Sequence, residues 1–187
     1  MAEEIKSLVD KIAGIEQTDE LKRALNELLE KINKVGIKTL VNDFPEMLPK
    51  MMGKIREVDI KDFKDEIPKI LPMFFDGVSV LAEKNDILKA DLTRAGSMKV
   101  NFKIPDVGIA INMQIADGKV RGGVGAVEGA DLDIEAIWNI VSNILGGEAD
   151  NVISAYMSGD VKIMGDLSKA MILMPIIESL GEEVKVR

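Results

Sequence analysis

Asp131, Asp133 and Glu135 are spaced by two residues. On a strand they share one face, and such oxygen sets suit hard cations. The competing reading, which we favour, is a solvated strand face with Asp133 capping a helix that starts at Ile134. Ser158, Lys162, Asp166, Ser168 and Lys169 form a second polar cluster. A serine activated by lysine would perform acyl transfer. The chain has no histidine and no cysteine, so it lacks the commonest general base and any thiolate nucleophile. Gly122 to Gly125 superficially suggests a phosphate loop. No helix start follows it and position 128 is Glu128, so the motif fails. These groups assemble no catalytic set, no metal site and no cofactor site, and a non-enzymatic function is expected.

The chemistry left is apolar burial. In the last helix Leu167, Ala170, Met171, Met174 and Ile177 form one face. Ile172, Leu173, Ile176 and Leu180 cover most of the rest. A helix apolar all round must be covered all round. A bound apolar ligand, the N-terminal helices or a second subunit would each complete that burial. Gly122, Gly123 and Gly125 leave room beside a strand. The 11 methionines suit adaptable apolar surfaces.

The elements that position these residues follow from periodicity. Residues 1–57 read as helices. Glu4 to Ile15 carries Ile5, Leu8, Val9 and Ile12 at helical spacing. Thr18 or Asp19 caps a second helix that ends at Gly36, and a third runs from near Ile37 to Pro45. Phe44 to Met52 echoes Ile67 to Phe75, each with two prolines. The favoured reading is a pair of kinked or proline-started core helices, and the alternative is an apolar flap over a ligand entrance. Asp62 to Lys84 reads as one helix, and Asn85 or Asp86 starts a short one ending at Ala95-Gly96. The period then changes to two. Val100, Phe102 and Ile104 alternate with Lys99, Asn101 and Lys103. Ile109 to Ile115 alternates likewise, Asp117-Gly118 marks a hairpin, and Val120 to Val124 and Ala130 to Ile134 complete an antiparallel meander. A helix from Ile134 to Leu145 stops at Gly146-Gly147.

From Ser154 to Met171 a helix end, a strand and a helix start follow without slack. Asp160 to Met164 alternates with Val161 and Ile163 on one face, Gly165 ends it, and Asp166 caps the next helix. Tyr156, Gly159, Lys162, Ile163, Gly165, Asp166, Leu167, Ala170 and Met171 stand in the order of a pattern that resembles the C-terminal signature of the sterol carrier protein 2 family. The resemblance extends over roughly Asp62 to Gly181. It implies an α+β fold, a five-stranded, mostly antiparallel sheet covered by helices, as a lipid-binding domain over 62–187; residues 1–61, read as helical from their periodicity, lie outside the resemblance as an N-terminal extension. It also implies non-catalytic binding and transfer of a lipid, fatty acid or acyl-CoA in an apolar tunnel between the sheet and the last helix. The residues then expected along the tunnel are Phe102, Met113, Ile137, Trp138, Val141, Leu145, Tyr156, Met157, Met164, Leu167, Met171 and Met174, with Lys169 facing out. The alternative is a protein-interaction or oligomerisation module that uses the same helices, as in a homodimer.

Composition narrows the partners. The net charge of −8 argues against a nucleic-acid partner, which needs a basic face. It also gives no electrostatic pull to an anionic bilayer, so any membrane contact is expected to be transient. No apolar run approaches the ~20 residues of a transmembrane helix. The first residues are charged and unlike a signal peptide, and the final Val-Lys-Val-Arg is not a peroxisomal address. A cytoplasmic location is expected.

Overall fold

The structure, a computed structural model, describes residues 2–146 and 149–184. Helices α1 (Ala2–Ala13), α2 (Thr18–Val35), α3 (Ile37–Asp43) and α4 (Met47–Glu57) come first. A short 3-10 turn (Ile60–Phe63), α5 (Ile67–Ala82) and α6 (Asp86–Ala95) follow. Thr18 is the first residue of α2 and not its cap, because Gln17 holds the cap position without a side-chain bond. Gly36, at φ 88°, ends the helix and donates its N–H to Ile32 O. The helix predicted from Asp62 to Lys84 is broken. Pro68 has no N–H to continue a helix through residue 64, so it stands in the first turn of α5, where a missing donor costs nothing. Asn85 caps α6 as expected, its Oδ1 accepting from Ile87 N and Leu88 N.

The sheet comprises β1 (Met98–Ile104), β2 (Ile109–Ala116), β3 (Lys119–Val124), β4 (Leu132–Glu135) and β5 (Lys162–Gly165), in the order β3-β2-β1-β4-β5. Asp117 and Gly118, both at positive φ, make the two-residue hairpin turn between β2 and β3, the geometry that favours these residue types. A plain meander is not what forms, because β4 pairs parallel to β1. To reach that position the chain after β3 crosses the helix-free face of the sheet. Two buried asparagines hold the crossing. Asn101 exchanges bonds with Val127 O (3.0 Å) and Val127 N (2.9 Å). Asn112 donates to Gly125 O at 2.9 Å. Both are thus satisfied where they lie, as buried polar groups must be.

The helix expected from Ile134 also begins later. Ile134 is paired in β4 with Phe102 of β1 and Ile163 of β5, so the ladder claims it. Helix α7 (Trp138–Leu145) starts after Ile137. Its first N–H donates to Asp106 Oδ1 at 3.0 Å, so Asp106 of the β1–β2 turn replaces the predicted Asp133. Gly146 stops α7, whereas Gly147 and residues 185–187 lie outside the described residues. Helices α8 (Ala149–Ser158) and α9 (Leu167–Val184) complete the chain.

One hydrophobic core runs from α1 to α9. Helices α5, α7 and α9 lie on the apolar face of the sheet, and α4 packs on both α7 and α9. The proline-containing segments form core helices, with Leu48, Met51, Phe74 and Phe75 buried. The question posed by α9 is answered in two halves. Leu173, Ile176, Ile177 and Leu180 are buried, between the sheet, α6 and α4. Leu167 and Met171, in its first turns, are exposed.

Asp166 caps α9 as predicted, its Oδ1 accepting from the Ser168 hydroxyl and amide. Those two bonds hold the Asp166 carboxyl below the ordinary aspartate range. A carboxyl depressed by folding stabilises above its unfolded pKa of about 3.9, and the contribution disappears as pH falls through the folded value. Asp166→Ala therefore lowers the melting temperature at neutral pH, with a gap to wild type that closes in acid. Melting curves from neutral pH downward check this, and a gap independent of pH contradicts it.

Candidate functional site

The polar clusters are occupied one by one. Asp131 Oδ2 accepts from Lys99 N at 2.7 Å. Asp133 Oδ1 accepts from Asn101 Nδ2 and pairs with Lys103 at 3.2 Å. Glu135 pairs with Lys162 at 2.7 Å, and that ammonium holds its carboxyl below the ordinary glutamate range. The three carboxylates thus answer four separate donors. Ser158 donates to Ala155 O and Asp160, and Ser168 donates to Asp166. Neither serine contacts a lysine in these bonds, so the geometry for a serine–lysine nucleophile is not assembled. Lys169 does not simply face out, because its ammonium reaches back to Ser97 O at 3.1 Å.

The twelve residues expected along a tunnel divide into two groups. Phe102, Met113, Val141 and Leu145 are buried, and Trp138 and Met174 are half-buried against the core. Ile137, Tyr156, Met157, Met164, Leu167 and Met171 are exposed, Met157 at 82% and Met171 at 77%. On α8, Ile153, Tyr156 and Met157 fall at i, i+3 and i+4, so they share one outer face. This group faces solvent and not the sheet.

The seam between the sheet and α9 is nearly full. Phe102, Met113, Leu145, Ile177 and Leu180 line it, and Phe74 and Phe75 of α5 enter it. The remaining void is about 10 Å³, at the limit for a single water. The room foreseen at Gly122 is filled by Phe75, since a Cβ there would lie 2.3 Å from the Phe75 ring and 2.4 Å from Asn112 O.

A larger cavity, about 50 Å³, meets α7 at Trp138. Leu21 and Leu25 of α2, and Met51, Lys54 and Ile55 of α4, form one wall. Val58, Ile60 and Phe63 form its end. Ile67, Ile70 and Leu71 of α5 close the far side together with Trp138. The amphipathic stripes of α2 and α4 supply this lining; the sequence marks α2 only as a packed helix and offers for Phe44 to Met52 the alternative of a flap over a ligand entrance. Among the described residues Lys54 is the one charged side chain that lines the cavity. The Lys54 side chain is 10% exposed and its ammonium lies 3.2 Å from Glu57. The ammonium of Lys22, next to Leu21, stands 5.6 Å over the Phe63 ring, within cation–π range.

No protein-family model matches the chain, and no curated protein matches it. Solved structures do. A UbiJ-SCP2 ubiquinone synthesis protein aligns with a TM-score of 0.51 at 11% identity, covering 63% of this chain and 93% of that one. Sterol carrier protein 2 aligns at 0.42 and 16% identity, covering 58% and 90%. Sterol carrier protein 2 from Yarrowia lipolytica aligns at 0.41 and 17% identity, covering 63% and 94%. The first of these likenesses shows the fold, which is that of a sterol-carrier-protein-2-like domain.

The two groups of expected tunnel residues behave differently on truncation. Phe102→Ala empties a packed seam and costs about 3–5 kcal/mol of stability. Met171→Ala removes a solvated side chain and changes stability by no more than about 0.5 kcal/mol. Urea denaturation of the two variants checks the contrast, and similar losses contradict it.

Proposed function

We propose that the protein binds and transfers a lipid or fatty-acyl ligand without catalysing a reaction, and that the ligand enters the cavity between α2, α4, α5 and Trp138. The observation that carries this is the cavity itself, a void walled by apolar side chains beside a single lysine. Ligand sites of this kind are mostly apolar with a few polar groups. The fold likeness agrees with the reading. The driving force is desolvation, and about ten methylenes moved from water gain roughly 8 kcal/mol before the costs of association. The void admits a chain only if its wall yields. Met51 is flexible, and residues 58–59 between α4 and the 3-10 turn are a non-helical join that gives the opening needed for exchange. On this reading α2 and α4 form one wall of the binding site, and the seam over Phe102 and Met113 remains core.

A second reading rests on a separate observation. Ile153, Tyr156, Met157, Met164, Leu167 and Met171 are exposed large apolar side chains on α8, β5 and α9. Such a surface fits docking of a protein partner or a second copy. Among the described residues no helix is long and apolar enough to cross a membrane.

Trp138 is the one tryptophan of the chain and lines the cavity, so it reports occupancy. Titration with a fluorescent fatty acid produces saturable energy transfer from Trp138. Leu25→Phe, which narrows the void and adds no second tryptophan, weakens binding about tenfold without unfolding the chain. A flat titration of folded, delipidated protein, together with a dimer mass by light scattering, defeats the first reading and favours the second.

A further inference from the structure

We propose that Lys54 and Lys22 make this cavity selective for an amphiphile with an anionic head group, a long-chain carboxylate, over a neutral lipid of the same length. The inference rests on the binding reading above and adds the head group to it.

Among the described residues Lys54 is the one charged side chain in the lining. Its stem is packed against apolar neighbours, and its side chain is 10% exposed. A charge so placed needs a partner. The one it has is Glu57, three residues on in the same helix, whose own side chain is 66% exposed. Such i,i+3 pairs at a surface are weak. A ligand carboxylate emerging beside Lys54 can take the place of Glu57, which then returns to water at little cost. The resulting bond is charge-assisted and sits against an apolar wall, where it is stronger than the pair it replaces.

Lys22 supplies the second cation. Its ammonium stands over Phe63, which lines the same cavity. Among the described residues it has no ion pair. Among the described residues no carboxylate lines the cavity. In a chain of net charge −8, one lysine in the lining and a second stacked on a lining ring oppose the overall sign. Packing alone would not need either charge. A neutral head group would leave Lys22 without an ion pair and gain nothing from Lys54.

The test compares dodecanoate with dodecanol, which share a chain and differ in charge, by Trp138 fluorescence. Wild type binds dodecanoate roughly tenfold or more tightly than dodecanol, the scale of one hydrogen bond to a charged group. Lys22→Met with Lys54→Met keeps apolar stems and removes both charges. In that double variant dodecanoate affinity falls to that of dodecanol, and dodecanol affinity stays as in wild type. Lys54→Arg, with Lys22 intact, retains the preference and controls for folding. Equal affinities in wild type, or a preference that survives in the double variant, overturn the proposal. Flat titrations with both ligands overturn the binding reading and this inference with it.

Discussion

Phe75 occupies the space that a side chain at position 122 would need. The contact is possible only because Gly122 has no Cβ, and it presses α5 onto β3. The Ser79 hydroxyl, four residues along α5, strengthens the same join by bonding to both the N–H and the C=O of Val120. With Phe75 seated, the apolar face of the sheet is covered by protein, and the seam beneath α9 loses its room. Close packing of this kind leaves little slack, so any void large enough to matter must lie elsewhere. It lies where three helices and a 3-10 turn meet at Trp138.

Helix α4 connects these regions. It touches α1 on one side and α7 and α9 on the other. The buried C-terminal half of α9 therefore depends on residues outside the stretch that resembles the sterol carrier pattern. The same helix carries Met51, Lys54 and Ile55 into the cavity wall. Asp10 and Lys50 form an ion pair between α1 and α4, and Lys38 pairs with Glu83 at 2.9 Å between α3 and the end of α5. Both pairs are largely solvated and add little energy. Continuous apolar contact is what joins the first four helices to the rest.

Much of the fold is legible in the sequence because it is written locally. The alternation through Val100, Phe102 and Ile104, the Asp117-Gly118 turn and the Asn85 and Asp166 caps each depend on neighbours within a few residues. What is not legible depends on partners far along the chain. The parallel seat of β4 requires the Asn101 and Asn112 anchors, whose partners lie up to 26 residues away. The start of α7 is set by Asp106 from another turn and by the ladder that retains Ile134. The site follows the same division. Periodicity marks Met171 and Leu167 as apolar, but an apolar residue on an outer helix face has the same spacing as one on an inner face. Glycine at 122 reads as empty space until Phe75, distant in sequence, is found in it. The cavity itself is assembled from α2, α4, α5 and α7, and no local pattern announces such a meeting.

On the proposed binding mode the ligand lies beside Met51 and away from Met113. Two apolar spaces compete for that role, and each has a methionine in its lining. NMR of protein carrying labelled methionine methyl groups, followed through a dodecanoate titration, separates them directly. The account predicts a large, saturable shift of the Met51 methyl with Met113 nearly unmoved. A shift of Met113 with Met51 unmoved would place the ligand in the seam between the sheet and α9 and contradict it.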